Sequence, residues 1–133
     1  MKKVISAAIA VATALVMLFG ITAYAAQARY SYTSAVSSTL SISSGTANCQ
    51  SVLSGTSAVT HIFATQYLEK KSGTTWTTVS GGTWNDSTSN ISLVMTNSKS
   101  GLSSGTYRLR SVFVVYSQAN CETVEKTSSE VTI

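Results

Sequence analysis

Residues 107–116 read YRLRSVFVVY, the strongest strand pattern in the sequence. Successive side chains of a β-strand point to opposite sides of a sheet, so alternate positions form one face. One face then holds Tyr107, Leu109, Phe113 and Val115, and the other holds Val112, Val114 and Tyr116. One of these faces must be core, and the stretch predicts a strand of a packed sheet.

On both sides of this stretch, turn signals cut the chain into further short segments in which apolar and polar residues alternate. None of them carries the 3.6-residue apolar period of a helix. The segments predict six more strands, over residues 36–42, 47–53, 59–70, 76–79, 91–95 and 123–133. Seven short strands without a helix are typical of an all-β, antiparallel two-sheet sandwich. An up-and-down barrel is the alternative.

The composition agrees with an all-β domain. Serine and threonine are abundant, proline is absent, and only 11% of residues are charged. Low charge with many hydroxyl groups can indicate disorder, but disordered segments lack β-branched and aromatic residues. This chain is rich in Val, Ile, Thr and Tyr, which suit a pleated, half-buried surface. The solvent faces are therefore expected to carry hydroxyl groups rather than ions.

The first 25 residues have the three-part layout of a secretory signal peptide. Lys2 and Lys3 precede a nearly unbroken apolar run over residues 4–21, and Ala23-Tyr24-Ala25 supplies the small residues of a cleavage site. Ala26-Gln27-Ala28 offers a second cleavage site. An uncleaved membrane anchor is the alternative, since roughly 20 apolar residues span a bilayer.

Export predicts a secreted, extracellular protein in an oxidising compartment. We expect residues 1–25 to be removed, residues 26–35 to be an N-terminal segment, and residues 36–133 to form the sandwich. The two cysteines, Cys49 and Cys121, are expected to form a disulfide in that compartment. The bond would close a loop of about 70 residues and stabilise the fold by about 4 kcal/mol. A pair of free thiols is the alternative.

Residues 105–109, Gly-Thr-Tyr-Arg-Leu, resemble the start of the sixth strand of an immunoglobulin-like domain. In that family a tyrosine at this corner hydrogen-bonds back to nearby backbone, which implies that Tyr107 is a structural tyrosine corner. Leu68-Glu69-Lys70-Lys71, with Trp76 after it, is similar to the third and fourth strands of small secreted proteins of Gram-positive bacteria. The resemblance implies an immunoglobulin-like sandwich and supplies no active site. The sequence departs from antibody domains, because Cys121 lies beyond the sixth strand.

Residues 26–133 carry no catalytic or ligand motif, so we expect a protein that is not an enzyme and holds no cofactor or metal. His61 is the only histidine, and no nucleophile-elbow motif accompanies it. Glu122 and Glu125 are close in sequence, yet an offset of three residues puts them on opposite faces of a strand. Removal of Lys2 and Lys3 lowers the formal net charge from +4 to +2, and no basic stripe remains for nucleic acid.

The predicted strand over residues 59–70 also has two apolar faces. In an immunoglobulin-like sandwich it neighbours residues 107–116, so the face away from the core carries an apolar strip. This candidate strip consists of Phe63, Tyr67, Val112, Val114 and Tyr116. Soluble monomers seldom expose large apolar patches without a function, so we expect a partner protein, a second copy or a glycan to bind the strip. A fold-back of residues 26–35 over the strip is the alternative.

Together these features predict a secreted, non-enzymatic binding or surface-interaction module whose partner is a protein or a glycan at the cell surface. One alternative is a small secreted hydrolase that uses His61 or an acid pair. Another is a secreted toxin or bacteriocin-like protein. The same strand pairing predicts a surface ion pair between Glu69 and Arg108 or Arg110, worth at most about 1 kcal/mol.

Overall fold

The computed structural model describes residues 30–133, and the regular structure of this part is all β-strand. Its eight strands are β1 (Thr33–Ser43), β2 (Thr46–Gly55), β3 (Val59–Ser72), β4 (Thr75–Thr88), β5 (Ser92–Lys99), β6 (Thr106–Ser117), β7 (Cys121–Thr127) and β8 (Val131–Thr132). The predicted signal peptide, residues 1–25, lies outside the described residues. Between residues 30 and 133 there is no helix with the length and apolar character that a membrane crossing needs.

The strands form two antiparallel sheets. One sheet has three strands in the order β1-β2-β5, and the other has the order β4-β3-β6-β7, with β8 also paired to β6. The all-β, two-sheet sandwich predicted from the sequence is confirmed. β3 and β6 are antiparallel neighbours at the centre of the larger sheet, with one face of each toward the core and the other outward.

The first hairpin shows how local sequence sets the register. β1 and β2 are joined by Ser44 and Gly45, whose φ angles are +51° and +74°. Two consecutive residues with positive φ match the twist of a tight hairpin, and glycine adopts this conformation without steric cost. This turn lies between the strands predicted over residues 36–42 and 47–53, and it fixes the pairing of Ser43 with Thr46.

β4 is longer than the predicted strand over residues 76–79. It continues past Val79 and through Gly81 and Gly82 to Thr88. The pairing with β3 shifts at this point, because Tyr67 pairs with Thr83 whereas Glu69 pairs with Thr78. Gly81 has a φ of +73°, and a side chain on Gly82 would lie about 3 Å from the Val79 carbonyl oxygen and the Leu68 side chain. The glycines therefore form a bulge, and no turn ends the strand there.

The C-terminal segment predicted as one strand over residues 123–133 is divided into β7 and β8. Ser128 interrupts it by inserting its side chain into the ladder. Its Oγ accepts a hydrogen bond from the Leu109 amide at 2.9 Å, and its own amide donates to the Leu109 carbonyl oxygen at 2.9 Å. A side chain thus takes the place of a backbone acceptor, and regular pairing with β6 resumes only at Val131.

Apolar side chains from both sheets fill the interior. On β6 every second residue from Tyr107 to Val115 is buried, and β3 contributes its own inward positions from Ile62 to Leu68. The buried apolar residues of the described chain include Ala47, Leu53, Ile62, Leu68, Leu93, Met95, Tyr107, Leu109, Phe113, Val115 and Val124. The face of YRLRSVFVVY that begins with Tyr107 is therefore the core face.

A line of hydrogen-bonded serines crosses this apolar interior between the sheets. Ser38 of β1 donates its one hydroxyl proton to the Leu109 carbonyl oxygen at 3.1 Å. The 3.0 Å bond between Ser38 and Ser111 must therefore be donated by Ser111, since a hydroxyl has a single proton. Ser111 has then used its proton, so Ser51 of β2 donates the bond between Ser51 and Ser111. The direction of the line is fixed by the carbonyl group at its end.

Gln66 of β3 starts this line from the centre of the core. Its Nε2 donates to the Ser51 hydroxyl oxygen at 2.6 Å and also lies 3.4 Å from the Met95 carbonyl oxygen. Its Oε1 accepts a 2.8 Å bond from the Asn97 side-chain amide of β5. The core line therefore runs from Asn97 through Gln66, Ser51, Ser111 and Ser38 to the Leu109 carbonyl group. Between residues 30 and 133 no buried side-chain nitrogen or oxygen lacks a partner.

The middle of the core line is its most sensitive point. Replacing Ser111 with alanine leaves the Ser51 hydroxyl without an acceptor in the core, and an unsatisfied buried donor costs about 1–3 kcal/mol. We expect Ser111→Ala to lower the free energy of unfolding by that amount in a urea titration followed by circular dichroism. Ser37→Ala, at an exposed position of β1, is the matched control and is expected to change stability by less than about 0.5 kcal/mol. Equal stability of the two variants would contradict the core line.

Candidate functional site

The outer face of the five-stranded sheet carries the whole candidate strip. Phe63 pairs with Val114, and Tyr67 pairs with Arg110, so outward positions of β3 and β6 lie side by side. Phe63 and Tyr116 are exposed, whereas Tyr67, Val112 and Val114 are half-buried. The strip therefore divides into an open end, near Phe63 and Tyr116, and a partly covered end, near Tyr67.

At the open end three rings form an aromatic cluster of His61, Phe63 and Tyr116. The His61 and Phe63 ring centroids are 4.4 Å apart with the rings tilted by 56°. Phe63 and Tyr116 meet edge to face, with centroids 5.8 Å apart and planes at 78°. Phe63 keeps 49% of its surface exposed and Tyr116 keeps 38%. The cluster is therefore held by ring contacts of the preferred kind while much of its apolar area stays in water.

Residues 31–33 of the N-terminal segment are held elsewhere than over this cluster. Glu122 of β7 accepts hydrogen bonds from the amides of Ser31 and Tyr32, at 2.9 and 2.8 Å, and from the Thr33 hydroxyl at 3.1 Å. The Tyr32 carbonyl oxygen accepts a bond from the Thr56 amide at 2.9 Å. These bonds hold residues 31–33 beside the start of β7 and the β2–β3 loop. Residues 26–29 of the proposed fold-back lie outside the described residues.

At the covered end, an arginine cluster consists of Glu69, Arg108, Arg110, Tyr67 and Trp76. The Arg108 Nε donates to Glu69 Oε1 at 2.9 Å, and the Arg110 Nε donates to Glu69 Oε2 at 3.2 Å. The predicted ion pair of Glu69 is thus confirmed, but Glu69 binds both arginines and is only 5% exposed. It is therefore not a surface pair, and its carboxylate depends on both guanidinium groups for the hydrogen bonds that water no longer supplies.

Each arginine of this cluster also lies over an aromatic ring. The Arg108 guanidinium carbon is 4.2 Å from the centroid of Trp76, and that of Arg110 is 4.3 Å from the centroid of Tyr67. The Lys71 ammonium is 5.8 Å from the same Trp76 centroid. Cation–π contacts of this kind hold the planar groups flat on the rings. Trp76 reaches Arg108 across β3, since Trp76 pairs with Lys71 on one side of that strand and Arg108 pairs with Glu69 on the other.

Tyr107, the residue expected at the tyrosine corner, lies on the opposite, core face. Its ring is buried, and its hydroxyl donates to the Ser103 carbonyl oxygen at 2.7 Å, four residues upstream. The Lys70 ammonium lies 5.5 Å from the ring centroid and donates to the Ser103 hydroxyl at 2.7 Å. Tyr107 therefore ties the loop before β6 to the strand and has no part in the outer face.

His61 has one neighbour that bears on the hydrolase alternative. The Ser89 hydroxyl lies 3.3 Å from His61 Nδ1, and both residues are at the surface. Within residues 30–133 no carboxylate comes within 4.0 Å of the His61 ring, so no acid orients it as a catalytic base requires. Glu122 faces inward beside Val115 while Glu125 faces outward beside Val112, so these acids do not converge. Neither of two shallow depressions, of about 370 and 380 Å³, includes His61 or an acid.

The predicted disulfide between Cys49 and Cys121 is wrong, because both cysteines are free. Cys49 is buried beside Tyr107 and Leu109, near the start of β6. Cys121 is exposed and pairs with Tyr116, near the end of β6. Seven residues of strand separate Leu109 from Tyr116, or about 23 Å. A disulfide needs Cα atoms about 4–7 Å apart, so the fold keeps the two thiols at opposite ends.

The two thiols also differ in reactivity. Burial raises the pKa of the Cys49 thiol to about 11, so at neutral pH it stays protonated and inaccessible. We expect iodoacetamide at about pH 8 to modify Cys121 alone in the folded protein, and both cysteines in urea, as read by mass spectrometry. Cys121→Ser is the control and should give no adduct under native conditions. An unmodified native protein, with two adducts appearing only after reduction, would restore the disulfide.

No protein-family model matches this chain, and a search of curated proteins finds no significantly similar sequence. Among residues 30–133 no group of three or more metal-ligating side chains occurs.

Two features of the site were not predicted from the sequence. They are the covering of Tyr67 by Arg110 and the inclusion of His61 in the aromatic cluster. The second had a signal, because His61 and Phe63 share a face by strand alternation.

Proposed function

We propose that this protein is an exported, non-enzymatic recognition module that binds a protein partner through the outer face of its five-stranded sheet. The observation that carries the proposal is the exposed aromatic cluster at one end of the outer face, on the two central strands β3 and β6. Phe63 and Tyr116 together present apolar area that a soluble domain normally buries. Aromatic side chains of this kind are enriched among the residues that dominate binding energy at protein interfaces.

The geometry of the cluster favours a protein over a glycan. Stacking on the flat face of a polysaccharide needs aromatic rings in one plane. The rings of the cluster are instead tilted by 56° and 78° to their neighbours. An arrangement of edges and faces suits an inserted apolar side chain, which is how protein anchors are held. The glycan partner thus becomes the alternative outcome of the binding experiment.

Two further proposals accompany this function. The immunoglobulin-like assignment is supported by the β1-β2-β5 and β4-β3-β6-β7 sheets and by the hydrogen bond of Tyr107 to Ser103. Export is supported by the signal-peptide layout of residues 1–25.

The Ser89–His61 contact does not favour a hydrolase, because a nucleophile and base also need a group that orients the base. A toxin or bacteriocin-like role stays a prediction.

The proposal predicts that binding depends on the aromatic cluster. We expect the double variant Phe63→Ser/Tyr116→Ser to lose binding to cells and medium of the producing culture by more than about tenfold, as an aromatic anchor contributes about 2 kcal/mol or more. The readout is the amount of tagged protein retained, with protease and glycosidase treatment of the cells distinguishing a protein partner from a glycan. Thermal unfolding checks that the variant is folded.

The matched control is Val94→Ser, which changes a 56% exposed apolar residue on the opposite, three-stranded sheet. Its binding is expected to equal that of the unaltered protein. Equal retention of all three proteins would contradict the proposal. A partner that is a second copy would appear as a concentration-dependent dimer in sedimentation, and that dimer should be lost in the Phe63→Ser/Tyr116→Ser variant.

A further inference from the structure

The arginine cluster contains two guanidinium groups, and each is held both by a hydrogen bond to a carboxylate and by contact with an aromatic ring. Glu69 lies between them and accepts only their Nε–H groups. Trp76 and Tyr67 support the two planes at 4.2 and 4.3 Å. Each arginine therefore has two independent constraints, so a ligand that binds it need not supply the free energy to order a long flexible side chain.

Most hydrogen-bonding capacity of these two arginines is unused. A guanidinium has five N–H donors, and Arg108 and Arg110 each give one of them to Glu69. Within the described residues no acceptor takes an Nη–H from either arginine. Their side chains keep 26% and 27% of their surface exposed. The four amino groups thus form a fixed set of donors that no residue between 30 and 133 satisfies.

The charge of the cluster is also uncompensated. Together with the neighbouring Lys71, whose ammonium lies over the Trp76 ring, its two arginines carry three positive charges against the one negative charge of Glu69, which leaves +2. Glu125 is the outward-facing acid of β7, but it pairs with Val112 and makes no ion pair with either arginine. The excess charge therefore faces solvent at one end of the outer face.

We propose that Arg108 and Arg110 form a preorganised oxyanion site whose ligand is a carboxylate side chain of the partner protein. This inference rests on the proposed function and adds the chemistry of the partner. Planar guanidinium groups match a carboxylate through paired N–H donors. Tyr67 lies four residues, or about 13 Å, along β3 from Phe63. One partner surface therefore presents an apolar anchor to the aromatic cluster and an Asp or Glu to the arginine pair.

A nuclear magnetic resonance titration of the ¹⁵N-labelled protein tests the site directly. The probes are sodium glutarate, sodium phosphate and, for ionic strength alone, sodium chloride. We expect glutarate to shift the Nε–Hε signals of Arg108 and Arg110 and the indole signal of Trp76 in a saturable way. Glutarate should bind at least as tightly as phosphate. Shifts that stay linear and equal those of chloride would overturn the site, and tighter phosphate binding would overturn the carboxylate assignment.

Variants separate an ordered site from general positive charge. Arg108→Gln is expected to weaken glutarate binding about tenfold, since one set of charge-assisted hydrogen bonds is lost. Lys126→Gln removes the same charge elsewhere on the chain and should leave glutarate binding unchanged. Glu69→Gln keeps both arginines but weakens their support, so binding should fall severalfold although the local positive charge rises. Tighter binding in Glu69→Gln would show that charge alone acts.

The two proposals can fail separately. If glutarate does not saturate the arginine signals but Phe63→Ser/Tyr116→Ser still loses the partner, only the oxyanion site is wrong. If glutarate binds as expected but the Phe63→Ser/Tyr116→Ser variant keeps its partner, the recognition surface is wrong and the assignment of the carboxylate to a partner on this face falls with it. Both the glutarate titration and the partner-binding measurement use the whole chain, and the result of one does not depend on the variants used in the other.

Discussion

The structure depends on the hydrogen-bonded line that joins its two sheets through an apolar core. Gln66 and Ser111 sit at the centre of β3 and β6, where an unpaired polar group would destabilise the fold. Each finds its partners only on strands of the opposite sheet, chiefly at Ser51 and Ser38. The line therefore stabilises one pairing of the sheets. A slip of one residue along β3 or β6 would turn these groups to solvent and the outer residues into the core.

The outer face follows from this constraint. Side chains alternate along a strand, so the inward position of Gln66 on β3 directs the odd-numbered residues around it outward. Tyr67 and Glu69 are among these outward residues. The same phase on β6 directs Arg108 and Arg110 to the solvent side. The face that results has an apolar end with tilted rings and a cationic end with ordered guanidinium groups. Under the proposed function, these ends would offer two different interactions to one partner, and such complementarity gives a small flat surface its specificity.

Strand alternation made much of this predictable. The sequence predicts the sandwich, both faces of YRLRSVFVVY and the contact of Glu69 with the arginines, because period-two patterns determine faces without tertiary information. Strand alternation also places Gln66 on the same face of β3 as Ile62 and Leu68, which is the core face. A polar residue at such a position can be assigned to the core only when its hydrogen-bond partners on the other sheet are known. The disulfide failed for a related reason. An oxidising compartment and an even number of cysteines favour a disulfide, but they do not show whether the fold brings the two cysteines together. The stacking of Arg108 on Trp76 was not predictable, because it joins side chains of two strands on either side of β3 whose pairing the sequence pattern does not specify.

The central claim is that a directional line of buried hydroxyl groups fixes which face of β3 and β6 is outermost. Detection of hydroxyl protons by nuclear magnetic resonance tests it most directly, because serine hydroxyl protons are visible only when they are buried and hydrogen-bonded. We expect slowly exchanging hydroxyl signals from Ser51 and Ser111, with cross-relaxation from Ser51 to the Gln66 side-chain amide and from Ser111 to Ser38. Absence of both hydroxyl signals, together with rapid exchange of the Gln66 amide protons, would contradict the claim.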